Sequence, residues 1–152
     1  MRTYDAYVAP AERRLLIRVL QGVVPRAFAI VEELSLASAL PVRCERLYFI
    51  GRSEQKLEVS ADHAETETAL VDYWRLRVTQ VAEMPSAATL LRSLFGAAVV
   101  DIQFLAGEEF LEAEDERICS HGRIVLREDS GRSIGITAAE GVSGAIQLNV
   151  EV

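Results

Sequence analysis

Lysine is almost absent from this sequence of 152 residues, since arginine supplies all but one of its 16 cationic side chains. The exception is Lys56. Arginine forms planar, bidentate contacts that lysine cannot form. A coding bias of the genome is the simpler explanation of this composition, so the shortage of lysine alone assigns no function.

Cysteine and histidine are also scarce, with two residues of each. Cys44 and Cys119 are too few for a disulfide framework, and we expect both to be reduced and partly buried. Cys119 and His121 share one face of a predicted strand, about 6–7 Å apart at their Cα atoms. A zinc site normally needs three or four protein ligands. We therefore interpret His121 as incidental and expect no metal, no cofactor and no catalytic residue.

Several sequence signals of targeting and catalysis are missing. No apolar run reaches the roughly 18 residues that span a bilayer, and no apolar signal segment follows the first five residues. The glycines lack both the dinucleotide fingerprint and the phosphate-loop pattern, and no Gly-x-Ser-x-Gly elbow occurs. We expect a soluble, cytoplasmic protein without a membrane partner, and a binding protein rather than an enzyme.

The net charge is −7 and is distributed unevenly along the chain. Residues 1–76 carry a balance of −1, and residues 77–152 carry a balance of −6. An acidic chain repels phosphate backbones, so nucleic acid is a poor candidate partner.

The length suits one domain over residues 1–152, and half of the residues are hydrophobic, which is enough for a core without disulfides or metals. The chain is predicted to have helices first and strands later, with one helix interposed. This order predicts an α+β fold, in which an antiparallel β-sheet of about six to seven strands carries two or three helices packed on one face.

Three segments favour helices. Residues 11–21 have Pro10 just before them, an apolar stripe along one side and Gly22 as a stop. Pro25 opens a second candidate through about Ala39, although residues 27–33 also fit a strand. Residues 86–95 form the third, with Ser86 as a cap, an apolar stripe and Gly96 as the stop.

The remaining segments favour strands or polar connections. Residues 62–68 are interpreted as a polar connection, and residues 107–116 as an acidic loop or short helix. Strands are predicted by alternating or apolar patterns, one of them around Val100, Ile102 and Phe104. The others cover residues 44–50, 56–60, 72–79, 117–128, 132–138 and 145–152.

The turn at residues 129–131 allows a prediction of strand register. A three-residue loop pairs Leu126 with Ile134 and Ile124 with Ile136, so that both apolar pairs share one face. Hydrophobic matching of this kind decides the register. The same loop pairs Glu128 with Arg132 as an ion pair, and it needs a left-handed residue, which Gly131 supplies.

An acidic segment precedes the longest predicted strand. We predict that it is exposed, and its two interpretations are a solvated loop and a docking patch for a basic partner, where complementary charge speeds encounter. Its carboxylates are Glu108, Glu109, Glu112, Glu114, Asp115 and Glu116.

Arginines recur at the polar positions of the predicted strands. Arg75 and Arg77 lie on one strand, and Arg123 and Arg127 on another. An open antiparallel sheet can face water with such positions, so solubility is one explanation. The other is a recognition face, because arginine is enriched at interface hot spots.

The order of helix, Gly96, strand and acidic loop, followed by strand hairpins, resembles small immunity-type proteins that neutralise toxins. This likeness covers about the last seventy residues and is one of pattern, so we assign no family. Size and acidity are also similar to those of secretion chaperones, but the C-terminus here is predicted as a strand where that family has a helix. Both likenesses imply a non-catalytic protein that binds a protein partner.

Two functional hypotheses follow. The first is a non-catalytic protein-binding module, an immunity-like or chaperone-like acidic adaptor, with a homodimer as a further possibility. The alternative is a small-molecule-binding protein or minor enzyme with a pocket between the helices and the sheet.

Overall fold

A computed structural model describes residues 2–6, 8–31, 42–65, 72–92, 94–106, 110–113, 116–138 and 146–151. These residues form eleven β-strands and one α-helix. In chain order the elements are β1 (Arg2–Ala6), α1 (Pro10–Leu20), β2 (Arg26–Val31), β3 (Val42–Ile50), β4 (Lys56–Glu65), β5 (Asp72–Val81), β6 (Thr89–Leu90), β7 (Val99–Ala106), β8 (Phe110–Ala113), β9 (Glu116–Glu128), β10 (Ser133–Ala138) and β11 (Ile146–Glu151).

The predicted α+β class, with two or three helices packed on one face of a six- to seven-stranded sheet, is wrong. The described residues form a mostly antiparallel sheet that curls into a half-barrel, with a single α-helix. Two of the three predicted helical segments contribute strands instead, and further short strands complete the sheet.

The first predicted helix is confirmed as α1. Pro10 occupies its first turn, where a missing N–H costs nothing. Leu16, Val19 and Leu20 are fully buried along one side. The helix ends before Gly22, which adopts a positive φ of 84°. That conformation favours glycine and turns the chain out of the helix.

The second predicted helix is wrong where the structure describes it. Its first part is β2, which pairs with β3 on one side and with β6 on the other. Ala27 and Ala29 are buried, while Phe28 and Ile30 on the opposite face are only partly buried. The strand alternative is therefore correct as far as Val31, and residues 32–41 lie outside the described residues.

The third predicted helix, residues 86–95, is also absent. The segment instead forms a turn, the two-residue strand β6 and a second turn. The backbone N–H of Leu91 donates to the carbonyl of Ala27 at 2.8 Å, which extends the contact with β2. A helix of ten residues is marginal on its own. The edge of β2 offers this short segment tertiary hydrogen bonds, and the apolar side chains of Leu94 and Phe95 still reach the core.

Two long strands organise the sheet. The first half of β9 pairs with β1, in parallel, and with β8, while its second half lies between β7 and β10. Strand β3 pairs with β2 on one edge, and its other edge is shared between β11 and β4. The hairpin β4–β5 therefore leaves the sheet at β3, and β5 comes to lie against β9 and β10.

The β9–β10 hairpin has the predicted register. Leu126 is paired with Ile134 and Ile124 with Ile136, and all four side chains are fully buried. Gly131 adopts a φ of 90° in the three-residue loop. The prediction from hydrophobic matching is thus confirmed in both pairing and turn conformation.

Polar segments contribute more strand than the sequence suggested. The predicted polar connection begins inside β4, which extends to Glu65. Part of the segment interpreted as an acidic loop or short helix is β8, paired with β9. We call strands β4 and β5 one arm of the curled sheet, and strands β7, β9, β10 and β11 the other. The core between the two arms is one cluster of buried apolar side chains, among them Leu47, Phe49, Leu57, Val59, Val78, Ile124, Ile136 and Leu148.

Candidate interaction surface

The outward side of strands β7, β9, β10, β11 and the start of β3 is polar. Alternate residues of these strands, such as Ile124 and Ile134, point into the core, so the residues between them point outward. We call this outward surface the polar face. It consists of Arg43, Asp101, Gln103, Leu105, Arg123, Val125, Arg127, Ser133, Gly135, Thr137, Gln147, Asn149 and Glu151.

The strand register aligns these residues in rows across the sheet. The first row is Asp101, Arg127, Ser133 and Glu151. The second is Gln103, Val125, Gly135 and Asn149. In the third row, Thr137 pairs with Gln147, which pairs with Arg43.

A shallow trough runs along β10. Its outward residues Ser133, Gly135 and Thr137 are small, while longer side chains stand on β9 and β11. Adjacent strands are about 4.8 Å apart, so β9 and β11, which flank the trough, are separated by about 10 Å. A side-chain carbon built on Gly135 would first meet the carbonyl oxygen of Asn149 at 3.9 Å, an ordinary contact distance.

Two ion pairs connect the arginines of the polar face to neighbouring carboxylates. Arg123 lies 3.4 Å from Glu151, and Arg127 lies 3.9 Å from Asp101. Because β10 separates β9 from β11, the Arg123–Glu151 pair spans the trough. Exposed pairs of this kind contribute only about 0–1 kcal/mol to stability, so they can be exchanged for other partners at small cost.

The polar face carries more positive than negative charge. Its cations are Arg43, Arg123 and Arg127, whereas its anions are Asp101 and Glu151. Arg43 is exposed and makes no ion pair with the residues that the structure describes. The face is therefore locally positive on a chain whose net charge is −7.

Arg75 and Arg77, predicted for the same recognition face, lie on the other arm of the sheet. The alternate residues of β5, Leu76 and Val78, point into the core from the side opposite β9. The arginines of β5 and β9 consequently point away from each other. The structure groups Arg123 and Arg127 with Gln103 and Asn149, and separates Arg75 and Arg77 from them.

Arg75 and Arg77 belong to a cluster between α1, β4 and β5. Both arginines contact the carboxylate of Asp62, at 3.5 and 3.3 Å respectively. Arg77 also donates through Nε to Glu12 at 3.1 Å. The hydrogen bond to Glu12, with the charge of that carboxylate, raises the pKa of Arg77 above its ordinary value.

Glu12 has a second role in this cluster. Its Oε1 accepts a hydrogen bond from the backbone N–H of Val78 at 2.6 Å. Among the described residues, β5 pairs only with β4, so this N–H lies on an open strand edge. Covering an edge with a charged side chain protects it from pairing with other chains. The Arg75–Arg77 cluster thus has a clear structural explanation.

The acidic segment is only partly described. Glu112 lies in β8, and Glu116 is the first residue of β9. Glu108, Glu109, Glu114 and Asp115 lie outside the described residues. The backbone of β9 nevertheless links the acidic segment at its start to Arg123 and Arg127 in its second half.

Of the two cysteines, the structure describes the side chain of Cys44 alone. Burial raises the pKa of the Cys44 thiol to about 12, and its side chain is fully buried. Cys119 and His121 lie on β9, but their side chains are outside the described residues. The described part of the chain contains no group of three side chains placed to hold a metal ion.

Glu128 is a buried carboxylate whose tertiary contacts were not predictable from the sequence. Glu128 is 2% exposed and lies 2.9 Å from Arg132, as the hairpin register predicts. It also accepts from the backbone N–H of Gly96 at 3.0 Å and from Ser130 Oγ at 2.9 Å. Arg132 donates in addition to the carbonyl of Leu94. The pair therefore fixes the segment before β7 to the hairpin, which only the tertiary structure shows.

The electrostatics of Glu128 reflect two opposing effects. Burial would raise the pKa of this carboxyl. The hydrogen bonds from Arg132, the Gly96 amide and Ser130 outweigh burial, so its pKa lies below the ordinary value of 4.5. Glu128 is therefore charged in the folded protein and acts as a structural anchor at one end of the polar face.

Comparison of the chain with protein-family models, with curated proteins and with solved structures finds no match. No helix in the described residues is long and apolar enough to cross a membrane. The likeness to immunity-type proteins and secretion chaperones stays a prediction.

Proposed function

We propose that this protein is a non-catalytic protein-binding module, an acidic adaptor that docks a protein partner through the polar face. The observation that carries this proposal is the arrangement of half-exposed arginines beside a trough of small residues on β10. Arg123 and Arg127 are held in place by weak pairs, so little is lost when a partner replaces their carboxylates.

The rigidity of the sheet supports the proposal. A partner that binds side chains on paired strands does not have to order a loop, which lowers the entropic cost of association. The outward residues on β10 and β11 are short or uncharged apart from Glu151. They can form hydrogen bonds with a partner backbone without the cost of burying an unpaired charge.

The acidic segment extends the proposed docking surface. It adjoins β9 at the end opposite to Arg127. A partner lying along β9 would therefore contact carboxylates at one end and arginines at the other. A basic part of the partner would match the carboxylates, and complementary charge would speed its encounter.

The experiment is affinity capture from an extract of the native host with purified protein as bait, followed by mass spectrometry. The test variant carries Arg123→Gln and Arg127→Gln. The matched control carries Arg26→Gln and Arg46→Gln, two half-exposed strand arginines that are also ion-paired but lie outside the polar face. We expect a partner that the wild type and the control retain and the test variant loses.

A partner retained equally by both variants would show that the polar face is not the docking surface. Capture of no specific partner, combined with tight binding of a small molecule, would favour the alternative function. That alternative, a small-molecule binder or minor enzyme with a pocket between helices and sheet, assumed two or three helices, whereas the described residues contain one. It remains a prediction without a specific observation in its favour.

The proposal includes a cytoplasmic location and no nucleic-acid partner. The net charge of −7 opposes binding to a phosphate backbone. A buried, unpaired Cys44 fits a compartment in which thiols stay reduced. Salt-dependent binding to DNA or RNA at physiological ionic strength would contradict this part of the proposal.

A further inference from the structure

We infer that the partner presents an extended, acidic peptide segment to the polar face, and that this segment lies along the trough over β10. The inference rests on the proposed function and specifies the chemistry of the partner. It follows from the spacing of the arginines, from the excess of positive charge on this face and from the exchangeable pairs that now hold Arg123 and Arg127.

The spacing of the two arginines on β9 matches an extended peptide. Arg123 and Arg127 are separated by four residues on one face of a strand, which places their Cα atoms about 13 Å apart. Side chains on one face of an extended peptide repeat every two residues. Carboxylates four residues apart in the partner would therefore align with both guanidinium groups, each in a charge-assisted contact.

The face already holds carboxylates in the positions that such a partner would take. Glu151 reaches across the trough to Arg123, and Asp101 contacts Arg127 from β7. Both are substantially exposed, with side-chain exposures of 66% for Glu151 and 38% for Asp101. Asp101 and Glu151 would therefore compete with a partner carboxylate for the two guanidinium groups. Because exposed ion pairs are weak, a partner can displace them at little energetic cost.

The overall charge of the chain does not prevent this association. Electrostatic interactions between exposed charges are screened beyond about 8 Å at physiological ionic strength. An acidic peptide over β10 is therefore governed mainly by nearby charges, and on the polar face these are Arg43, Arg123 and Arg127 against Asp101 and Glu151. Binding should weaken as salt is added, because these contacts are exposed.

The test uses synthetic twelve-residue peptides and ¹⁵N-labelled full-length protein. The probe peptide repeats Ser-Glu-Ser-Thr three times, so that its glutamates recur every four residues. One control has the same composition with its glutamates adjacent, and two others replace glutamate with glutamine or lysine. Amide chemical shifts are followed during titration, and dissociation constants are obtained from them.

We expect the probe to bind, with the largest shifts in residues 123–127, 133–137 and 147–151. The Arg123→Gln/Arg127→Gln variant should bind about three- to tenfold more weakly, which corresponds to two exposed ion pairs. Glu151→Gln should bind the probe about two- to threefold more tightly, because it removes a competitor for Arg123. Glu54→Gln, at an exposed pair elsewhere, should leave the affinity unchanged.

The opposite effects of Arg123 and Glu151 substitutions separate recognition from a structural role. If the pair only stabilised the sheet, both substitutions would change probe affinity in the same direction or not at all. Absence of probe binding at millimolar concentration, shifts confined to other residues, or equal binding of the adjacent-glutamate or lysine peptide would overturn the inference. In each case the proposed function would still be judged separately, by the capture experiment with the Arg123 and Arg127 variant.

Discussion

Truncation of the buried carboxylate with Glu128→Ala should destabilise the fold more than any exposed charge substitution. The side chain accepts three hydrogen bonds, from Arg132, the Gly96 amide and Ser130. Removal takes the carboxylate of Glu128 away from the guanidinium of Arg132 and from the amide of Gly96. The segment before β7 would lose one of its main attachments to the hairpin.

The expected magnitude follows from burial. Removing one partner of a buried ion pair costs about 3–5 kcal/mol, because it leaves an uncompensated charge. Arg132 is 27% exposed and keeps its bond to the carbonyl of Leu94, so the lower end of that range applies. For a protein of this length, a loss of about 3 kcal/mol corresponds to a fall in Tm of about 6–12 °C.

Thermal and urea unfolding of the purified variant, followed by circular dichroism, measure this loss. The control is Glu54→Ala, which removes a carboxylate paired with Arg26 at 75% exposure and should change stability by less than about 0.5 kcal/mol. A double variant, Glu128→Met with Arg132→Met, removes both charges. It should recover most of the loss, because replacing both members of a buried ion pair by apolar side chains of similar volume is often close to neutral, whereas removing one member is costly.

A loss below about 1 kcal/mol for Glu128→Ala would refute the explanation by a buried ion pair, since that is the range of an ordinary exposed hydrogen bond. A Glu128→Met/Arg132→Met variant as unstable as the sum of the single Glu128→Met and Arg132→Met variants would also contradict that explanation. That outcome would mean that the two side chains contribute independently, through packing.

Four further predictions concern titration, the strand edge, a thiol and the acidic segment. The pKa of Glu128 is lower in the folded than in the unfolded protein. The contribution of this carboxylate to the free energy of unfolding should therefore be complete above pH about 4.5 and decline as the pH falls through the folded-state pKa. Urea unfolding between pH 3 and 7 should show this decline in the wild type and not in Glu128→Gln. Glu12→Ala should cost about 1–3 kcal/mol in unfolding free energy, because the N–H of Val78 and the Nε of Arg77 both lose the Glu12 carboxylate. Light scattering should show more self-association than in the wild type, and an unchanged scattering signal would contradict the edge-protecting role of Glu12. In a Cys119→Ser background, Cys44 should react with a disulfide reagent only on unfolding, since its pKa of about 12 leaves almost no thiolate; rapid labelling of native protein would contradict this. Replacing Glu112, Glu114 and Glu116 of the acidic segment with glutamine should slow association with a basic partner at low salt, as stopped-flow measurements would show. The same variant should change the unfolding free energy by less than about 0.5 kcal/mol in melting measurements. A large loss of stability would identify these carboxylates as structural.

Local features of the fold were predictable because short-range rules decide them. Helix α1 follows from an apolar stripe between Pro10 and Gly22. The β9–β10 hairpin follows from loop length and from the matching of apolar pairs such as Leu126 and Ile134. In both cases the competing arrangements place apolar side chains in water or require an unfavourable φ, so the sequence excludes them without help from distant residues.

Short apolar segments were not predictable in the same way. Residues 86–95 have a stripe that suits a helix, yet Leu94 is buried and Leu90 is exposed at the edge of β2. Periodicity cannot separate a helix from irregular structure over so few residues, and the outcome depends on an edge supplied by β2. Strands β1 and β8 escaped prediction because their partner β9 supplies the hydrogen bonds that make them strands.

The candidate surface shows the same division between local and tertiary information. Alternation by itself determined that Arg123 and Arg127 share the outward side of β9, and that Gln147 and Asn149 share the outward side of β11. Only the tertiary structure decided that β10 places Ser133, Gly135 and Thr137 between them, and that Arg75 and Arg77 point elsewhere. Alternation fixes the side of a strand on which a residue lies because the backbone repeats every two residues. Neighbouring strands and the curl of the sheet depend on how distant segments bury their apolar faces together, which no single segment contains.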